Sequence, residues 1–112
     1  MDAFIGQVML FAPNFAPKSW LPCDGRLLRI VDYQALYSLL GTTYGGDGMN
    51  TFGLPDLRGR VPLGAGQRPG DTAHPEGATG YLTQAAEGTH GSAPFQALQY
   101  VICAEGIYPS RS

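Results

Sequence analysis

Glycine and proline recur so often along this chain that long regular elements are hard to accommodate. Together they make up 25 of the 112 residues, more than a fifth, against a usual share of about 12%. Glycine readily adopts positive φ, and proline fixes φ and removes a backbone donor, so both residues mark turns. The sequence therefore predicts many short segments joined by tight turns, within the single domain that a chain of this length forms.

The first third of the chain contains two strand signals. A short apolar run at residues 5–11 predicts a strand. A β-hairpin is predicted over residues 19–30, because the dipeptide Asp24-Gly25 is a strong signal for a two-residue turn. Pro22 lacks a backbone N–H, so its strand is expected at the edge of a sheet.

In residues 32–40 the apolar side chains recur with the period of a helix, which predicts the one helix of the chain. Leu36, Leu39 and Leu40 recur at i, i+3 and i+4, which places them on one helical face. We expect Asp32 to cap the N-terminus of this helix by accepting hydrogen bonds from unpaired backbone N–H groups. Gly41 stands where a residue with positive φ commonly ends a helix.

The remainder of the chain is less regular. Residues 41–50 form a loop with four glycines, and residues 51–55 and 60–63 are short extended pieces. Residues 66–94 have no hydrophobic period, and loops of this length are usually functional or disordered. Residues 95–104 are apolar on both faces at their centre, so they predict an interior strand.

The sequence thus predicts a mainly β domain of the α+β class over residues 1–112, small and irregular, with one short helix and long glycine-rich loops. Residues 66–94 form its irregular loop segment. The expected core is a set of aliphatic residues from the strands and the helix: Val8, Leu10, Leu36, Leu39, Leu40, Val61 and Ile102.

Charge and hydropathy exclude several classes of partner. The formal net charge is −2, with no cluster of Lys or Arg, so we expect no nucleic-acid binding. No apolar stretch approaches the roughly 20 residues of a membrane helix, so we expect no membrane insertion. The residues 1–6 lack a basic region followed by an apolar region, and no secretory signal is expected.

A low fraction of charged residues points to association between chains. Only 14% of the residues are charged, against a typical quarter. Part of the surface of such a domain is either covered by another chain or neutral and rich in hydroxyls and glycine. We favour the first alternative and predict a homo-oligomer.

The sequence shows no pattern of catalytic or metal-binding residues. His74 and His90 have no Cys or carboxylate at metal-ligand spacing, and no nucleophile motif such as Gly-x-Ser-x-Gly occurs. Cys23 and Cys103 either pair or remain two buried free thiols, and we favour the thiols. We therefore predict no enzymatic activity, no cofactor and no bound metal.

Two loops combine aromatic rings with short polar groups, which suits weak sugar or peptide binding. The first contributes Tyr44, Asp47 and Asn50, and the second contributes His74, Tyr81 and His90; these six residues are the predicted ligand site. The first loop lacks the Lys-Ser/Thr of a phosphate loop and the ligand spacing of a calcium loop. Trp20 is interpreted as a core or interface aromatic, and Asp56, Arg58 and Arg60 as an ion-pair or backbone-bonding group.

Several blocks of sequence resemble the phage tail-collar family. The first block reads Phe-Ile-Gly-Gln-Val-Met-Leu-Phe-Ala from residue 4 and Asn-Phe-Ala-Pro-Lys-Ser-Trp-Leu-Pro-Cys-Asp-Gly from residue 14. The second reads Tyr-Gln-Ala-Leu-Tyr-Ser-Leu-Leu-Gly-Thr-Thr-Tyr-Gly-Gly-Asp-Gly from residue 33, and the third reads Thr-Phe-Gly-Leu-Pro-Asp-Leu-Arg-Gly-Arg-Val-Pro from residue 51. The closing Tyr-Val-Ile-Cys-Ala-Glu-Gly-Ile-Tyr-Pro-Ser-Arg resembles the end of the family's short microcystin-dependent or tail-fibre members.

The resemblance implies a tail-associated component, often trimeric, in a virion or a phage-tail-like particle. Otherwise we expect a cytoplasmic location until release, since no secretory signal is seen. Its partners would be other tail proteins or a cell-surface glycan. Family members often carry a longer insertion with a Pro-x-His-x-His run, of which only His90 remains here. We expect a non-enzymatic structural or receptor-recognition module; the alternative is a free-standing, lectin-like carbohydrate-binding protein.

Overall fold

A computed structural model describes residues 3–82 and 93–111. In these ranges the chain forms five short strands, one α-helix and one 3₁₀ turn. The strands are β1 (Val8–Phe11), β2 (Trp20–Pro22), β3 (Leu27–Arg29), β4 (Thr51–Gly53) and β5 (Gln99–Cys103); the 3₁₀ turn is Ile30–Asp32 and the helix α1 is Gln34–Leu40. The mainly β, α+β class with one short helix is confirmed.

The first sheet has the order β1-β5-β2, and both of its pairings are antiparallel. Strand β5 is therefore central, and the prediction of an interior strand is confirmed. Ile102 pairs with Val8 on one side and with Leu21 on the other. Pro22 lies on β2 at the edge of this sheet, where its missing N–H leaves no gap between strands.

The predicted hairpin over residues 19–30 is wrong, because β2 and β3 do not pair with each other. Strand β2 pairs with β5, whereas β3 pairs antiparallel with β4 in a second, two-stranded sheet. Between them, Asp24 forms a bridge with Asp56 in the same register as the β3–β4 pair. Gly25 has φ 76°, but the chain changes its partner there and does not turn back on itself. Long-range partners satisfy its backbone: Cys23 donates to Tyr100 and Gly25 donates to Pro55.

The helix begins later than predicted, and Asp32 does not cap it. Asp32 ends the 3₁₀ turn and lies 3.5 Å from Arg29 in an exposed ion pair, while Tyr33 occupies the N-cap without a side-chain hydrogen bond. The helical end is as predicted: Gly41 has φ 57° and donates its N–H to the carbonyl of Tyr37. The 3₁₀ turn displaces the N-cap of the helix by one residue, from Asp32 to Tyr33.

The core lies between the inner faces of the two sheets and the helix. Its fully buried members include Leu36, Phe52, Leu54 and Ile102, with Leu39 and Leu40 partly buried against them. Three predicted core residues are instead exposed: Val8 (40%), Leu10 (52%) and Val61 (69%). The first two lie on the edge strand β1, and the third lies four residues after Leu57, which packs against the core. An apolar side chain alone therefore did not determine burial.

The two cysteines are buried free thiols in this fold. Cys103 pairs with Trp20, whereas the N–H of Cys23 donates to the carbonyl of Tyr100, three residues away along the ladder. This register separates the two Cα atoms by about 10 Å, beyond the roughly 7 Å that a disulfide spans. Burial, with a smaller effect of the nearby Asp24 carboxylate, raises the pKa of the Cys23 thiol to about 11.

A long segment extends away from this core. Every residue from 61 to 82 is exposed except His74, which is half-buried, and residues 93–98 are exposed as well. The described part of the irregular segment 66–94 contains no helix or strand, only a bridge between Gly66 and His74. No helix in the described ranges is long and apolar enough to cross a membrane.

Candidate functional site

The first glycine-rich loop lies directly against strand β4. The N–H of Gly53 donates to the carbonyl of Gly45 (2.9 Å), and the N–H of Gly48 donates to the carbonyl of Thr51 (2.9 Å). A Cβ on Gly53 would lie 2.5 Å from the carbonyl oxygen of Tyr44, and one on Gly46 would lie 2.6 Å from that of Thr51. Only glycine permits this approach, so the loop is a tightly packed element and not a free tether.

Asp47 organises this loop through its carboxylate. Its Oδ1 accepts hydrogen bonds from the N–H groups of Met49 (2.8 Å), Asn50 (2.8 Å) and Thr51 (3.0 Å). These backbone donors stabilise the charged form and lower the pKa of Asp47 to about 2. One oxygen of this predicted ligand residue is therefore committed to the backbone. Tyr44 beside it is half-buried, and Asn50 is exposed.

The second loop brings two of the predicted site residues to one cleft. His74 and Gly66 exchange two backbone hydrogen bonds, of 2.7 and 2.8 Å, which close a wide loop. His74 and Tyr81 both line a cleft of about 820 Å³ in this loop. Tyr81 is 98% exposed, so the cleft is open and its ring face is available. His90, the sixth predicted site residue, lies outside the described residues.

The two loops touch each other next to the predicted residues. A Cβ on Gly77 would lie 2.5 Å from the carbonyl oxygen of Thr43, which directly precedes Tyr44. The structure therefore brings Asp47 and Asn50 together within the first loop and His74 and Tyr81 together within the second. Thr43 and Gly77 make the contact that joins the two loops.

Sequence reasoning missed a second cleft, on the three-stranded sheet. It has a volume of about 470 Å³ and is lined by residues 12–14, 22–24, 57–59 and 97–100. These segments are too far apart in sequence to suggest a common site. The one available signal was the repeated Asp-x-Arg spacing of Asp24/Arg26 and Asp56/Arg58.

Each of these Asp-x-Arg units forms a two-pronged ion pair. Arg26 donates from Nε (3.0 Å) and Nη2 (2.9 Å) to Asp24, and Arg58 donates from Nε (2.9 Å) and Nη2 (2.9 Å) to Asp56. Arg60 adds a bond from Nη1 to the carbonyl of Asp56 (2.8 Å), so the predicted ion-pair and backbone-bonding role is confirmed. The hydrogen bonds from Arg58 lower the pKa of Asp56 to about 2, and those from Arg26 lower the pKa of Asp24.

Among residues 3–82 and 93–111, no three His, Cys, Asp or Glu side chains come together as ligands for a metal ion. In the same ranges, every buried side-chain nitrogen and oxygen has a hydrogen-bond partner. The described surface thus offers open clefts and loops, and its polar groups are suited to hydrogen bonding.

Comparison with known proteins places these features in a family. The phage tail collar domain family matches residues 6–62, just over half of the chain. The short tail fiber protein gp12 of Enterobacteria phage T4 is 36% identical over 64 residues, which are 56% of this chain and 12% of that protein. The chain thus corresponds to about an eighth of the length of this relative. The match covers β1 to β4, the helix, the first glycine-rich loop and both Asp-x-Arg units, and the chain belongs to the phage tail collar domain family.

Proposed function

We propose that this chain is a non-enzymatic module of a phage tail fibre, with a structural role and a role in receptor recognition. Membership of the tail collar family and the similarity to a short tail fibre protein support the tail location. Its partners would be further tail proteins and a glycan of the host surface, and its location would be the virion or a phage-tail-like particle.

The observation that carries the structural role is the amount of apolar surface on the described residues. Fifteen large hydrophobic side chains are exposed there, among them Phe4, Phe15, Val31, Leu82 and Phe95. Monomeric soluble proteins rarely leave large contiguous apolar patches uncovered, and such patches mark interfaces. Copies of the same chain would cover part of this surface and leave Tyr81 open, and the family resemblance favours a homotrimer.

The open loops support the recognition role. Tyr81 presents an aromatic face beside the half-buried His74, while Tyr44, Asp47 and Asn50 lie on a neighbouring rigid loop; His90 completes the proposed set. A sugar ring would stack on the aromatic face, with its hydroxyls bonded to the short polar groups. One shallow site of this kind would be weak, with a dissociation constant on the order of 1 mM, and three copies would raise the avidity.

The test combines mass in solution with glycan binding. Light scattering of the purified chain should give three times the monomer mass at micromolar concentration, and a glycan array should show binding without release of a product. Tyr44→Ala and Tyr81→Ala should weaken that binding while leaving the mass unchanged. Lys18→Ala is the control, because Lys18 is exposed and lies outside both the apolar surface and the proposed ligand set.

A monomeric mass would contradict the oligomer, and full binding by both tyrosine variants would move the ligand site elsewhere. Antibody labelling of phage-tail particles in electron micrographs separates the tail module from the free-standing lectin. Label along the tail supports the former, and binding to glycans without any label on particles supports the latter.

A further inference from the structure

The cleft of about 470 Å³ on the three-stranded sheet has the features of a ligand site that the two loops do not supply. Four segments far apart in sequence converge on it, so its shape depends on the whole fold. Its volume falls within the range of about 300–1,000 Å³ for small-molecule sites. Pro13, Pro22, Leu57, Leu98 and Tyr100 provide apolar walls.

Two charged groups enter this cleft with fixed positions. Asp24 and Arg58 line it, and each is held by a partner that does not: Arg26 fixes the carboxylate of Asp24, and Asp56 fixes the guanidinium of Arg58. Asp24 is the bridge partner of Asp56, and Asp56 binds Arg58, so the two groups lie at neighbouring positions. The cleft therefore presents a rigid acceptor, Asp24, beside a rigid donor, Arg58, and the two charges sum to zero.

Both groups retain hydrogen-bonding capacity. Within the described residues, the side chain of Arg58 donates from Nε and Nη2 to Asp56, and a guanidinium has five N–H groups in all. Oδ1 of Asp24 accepts two hydrogen bonds from Arg26 and Oδ2 accepts one, which leaves a lone pair on Oδ2. A ligand can thus donate to Asp24 and accept from Arg58 at neighbouring atoms.

We propose that this cleft binds a neutral sugar through two adjacent hydroxyl groups. One hydroxyl donates to Asp24, the next accepts from Arg58, and the ring lies against the apolar walls. A charged ligand would meet one repelling group of the pair, and an apolar ligand would desolvate both groups without replacing their hydrogen bonds. The inference rests on the proposed glycan recognition, to which it adds a second subsite with its own selectivity.

The test uses the full chain, labelled with ¹⁵N and titrated with methyl glycosides of glucose, galactose and mannose. Binding at the cleft should shift the amide resonances of Gly59 and Ala97, which line it. Removing a hydrogen bond to a charged group should weaken binding by about tenfold or more, so Arg58→Met should do so. Ala97→Trp should fill the cleft and abolish the shifts, and glycosides lacking one of two adjacent hydroxyls should bind as weakly as Arg58→Met binds the parent sugar.

Two matched controls separate binding from folding. Arg60→Met removes the same charge beside Asp56 but lies off the cleft, and Ala93→Trp adds the same ring at an exposed residue that does not line it. Both should keep the affinity of the unmodified chain, and thermal melts should confirm that all four variants fold.

The same titrations distinguish sugar binding in the cleft from sugar binding at the two loops. If no glycoside shifts the cleft amides, or if Arg58→Met and Ala97→Trp bind like the unmodified chain, the cleft proposal is overturned. Binding that is lost in Tyr81→Ala and kept in the cleft variants overturns the cleft alone and leaves the proposed function intact. Loss in the cleft variants with retention in Tyr81→Ala supports the cleft.

Discussion

Asp24 and Asp56 face each other as bridge partners, two like charges at directly opposed positions of an antiparallel ladder. Such a pair is unfavourable in isolation. Here each carboxylate forms a two-pronged ion pair with the arginine two residues later. Asp24 binds Arg26, and Asp56 binds Arg58. Backbone hydrogen bonds around this bridge join the segment after β2 to the turn after β4, and the arginines allow both carboxylates to remain charged.

Removing the arginines should therefore have a non-additive effect on stability. Arg26→Met alone should lower the free energy of unfolding by at most about 1 kcal/mol, because the pair is partly exposed. Arg26→Met/Arg58→Met should lose more than the sum of the two single changes, since two unneutralised carboxylates then oppose each other. Urea melts measure the free energy of unfolding of each variant. Salt at 1 M should reduce the loss beyond additivity, because it screens the repulsion between the two carboxylates. Strict additivity at low salt would contradict the coupling.

Acid should destabilise the chain through Asp47 and Asp56. Both have a pKa of about 2 in the folded protein, below the roughly 3.9 of an unfolded aspartate. Their contribution to stability is therefore present above about pH 4 and lost as the pH falls through 2. Urea melts from pH 2 to 7 should show this decline, with a smaller slope for Asp47→Asn. Glu76→Gln, a change at an exposed loop residue, is the control, and an equal slope in Asp47→Asn would contradict the role of Asp47.

The close approach of the first glycine-rich loop to β4 should make two glycines irreplaceable. Gly53→Ala places a methyl group 2.5 Å from the carbonyl oxygen of Tyr44, and Gly46→Ala adds the strain of φ 92°. Each should lower the free energy of unfolding by roughly 1–3 kcal/mol or more. Gly64→Ala and Gly80→Ala, which meet no atom within 4 Å, should leave it almost unchanged. Similar melts for all four variants would show that the loop can lift off the strand.

Asp32→Ala should change stability by less than about 0.5 kcal/mol, because its carboxylate makes only an exposed ion pair and does not cap the helix. Leu36→Ala on the same helix should cost about 2–5 kcal/mol, since Leu36 is completely buried. Thermal and urea melts of the two variants provide the comparison. A loss near 1 kcal/mol for Asp32→Ala would indicate that the aspartate caps the helix after all.

The sequence by itself determined the features that depend on neighbouring residues. The period of Leu36, Leu39 and Leu40 located the helix, and the apolar run around Ile102 located the central strand. Short sequence motifs were sufficient to indicate the family. In each case the signal lies within a few residues, because helix periodicity, strand hydropathy and turn chemistry are local properties.

Tertiary structure alone decided which segments pair and which groups meet. Asp24-Gly25 has the local preference of a turn, yet backbone partners near residues 55 and 100 prevent the flanking strands from closing into a hairpin. Val8 is as apolar as the buried Val101, but it lies on an edge strand with no neighbour beyond it. The cleft that brings Asp24 and Arg58 together arises from segments that are joined only by long-range contacts. Such contacts depend on the free energy of the whole fold, which no local window of sequence contains.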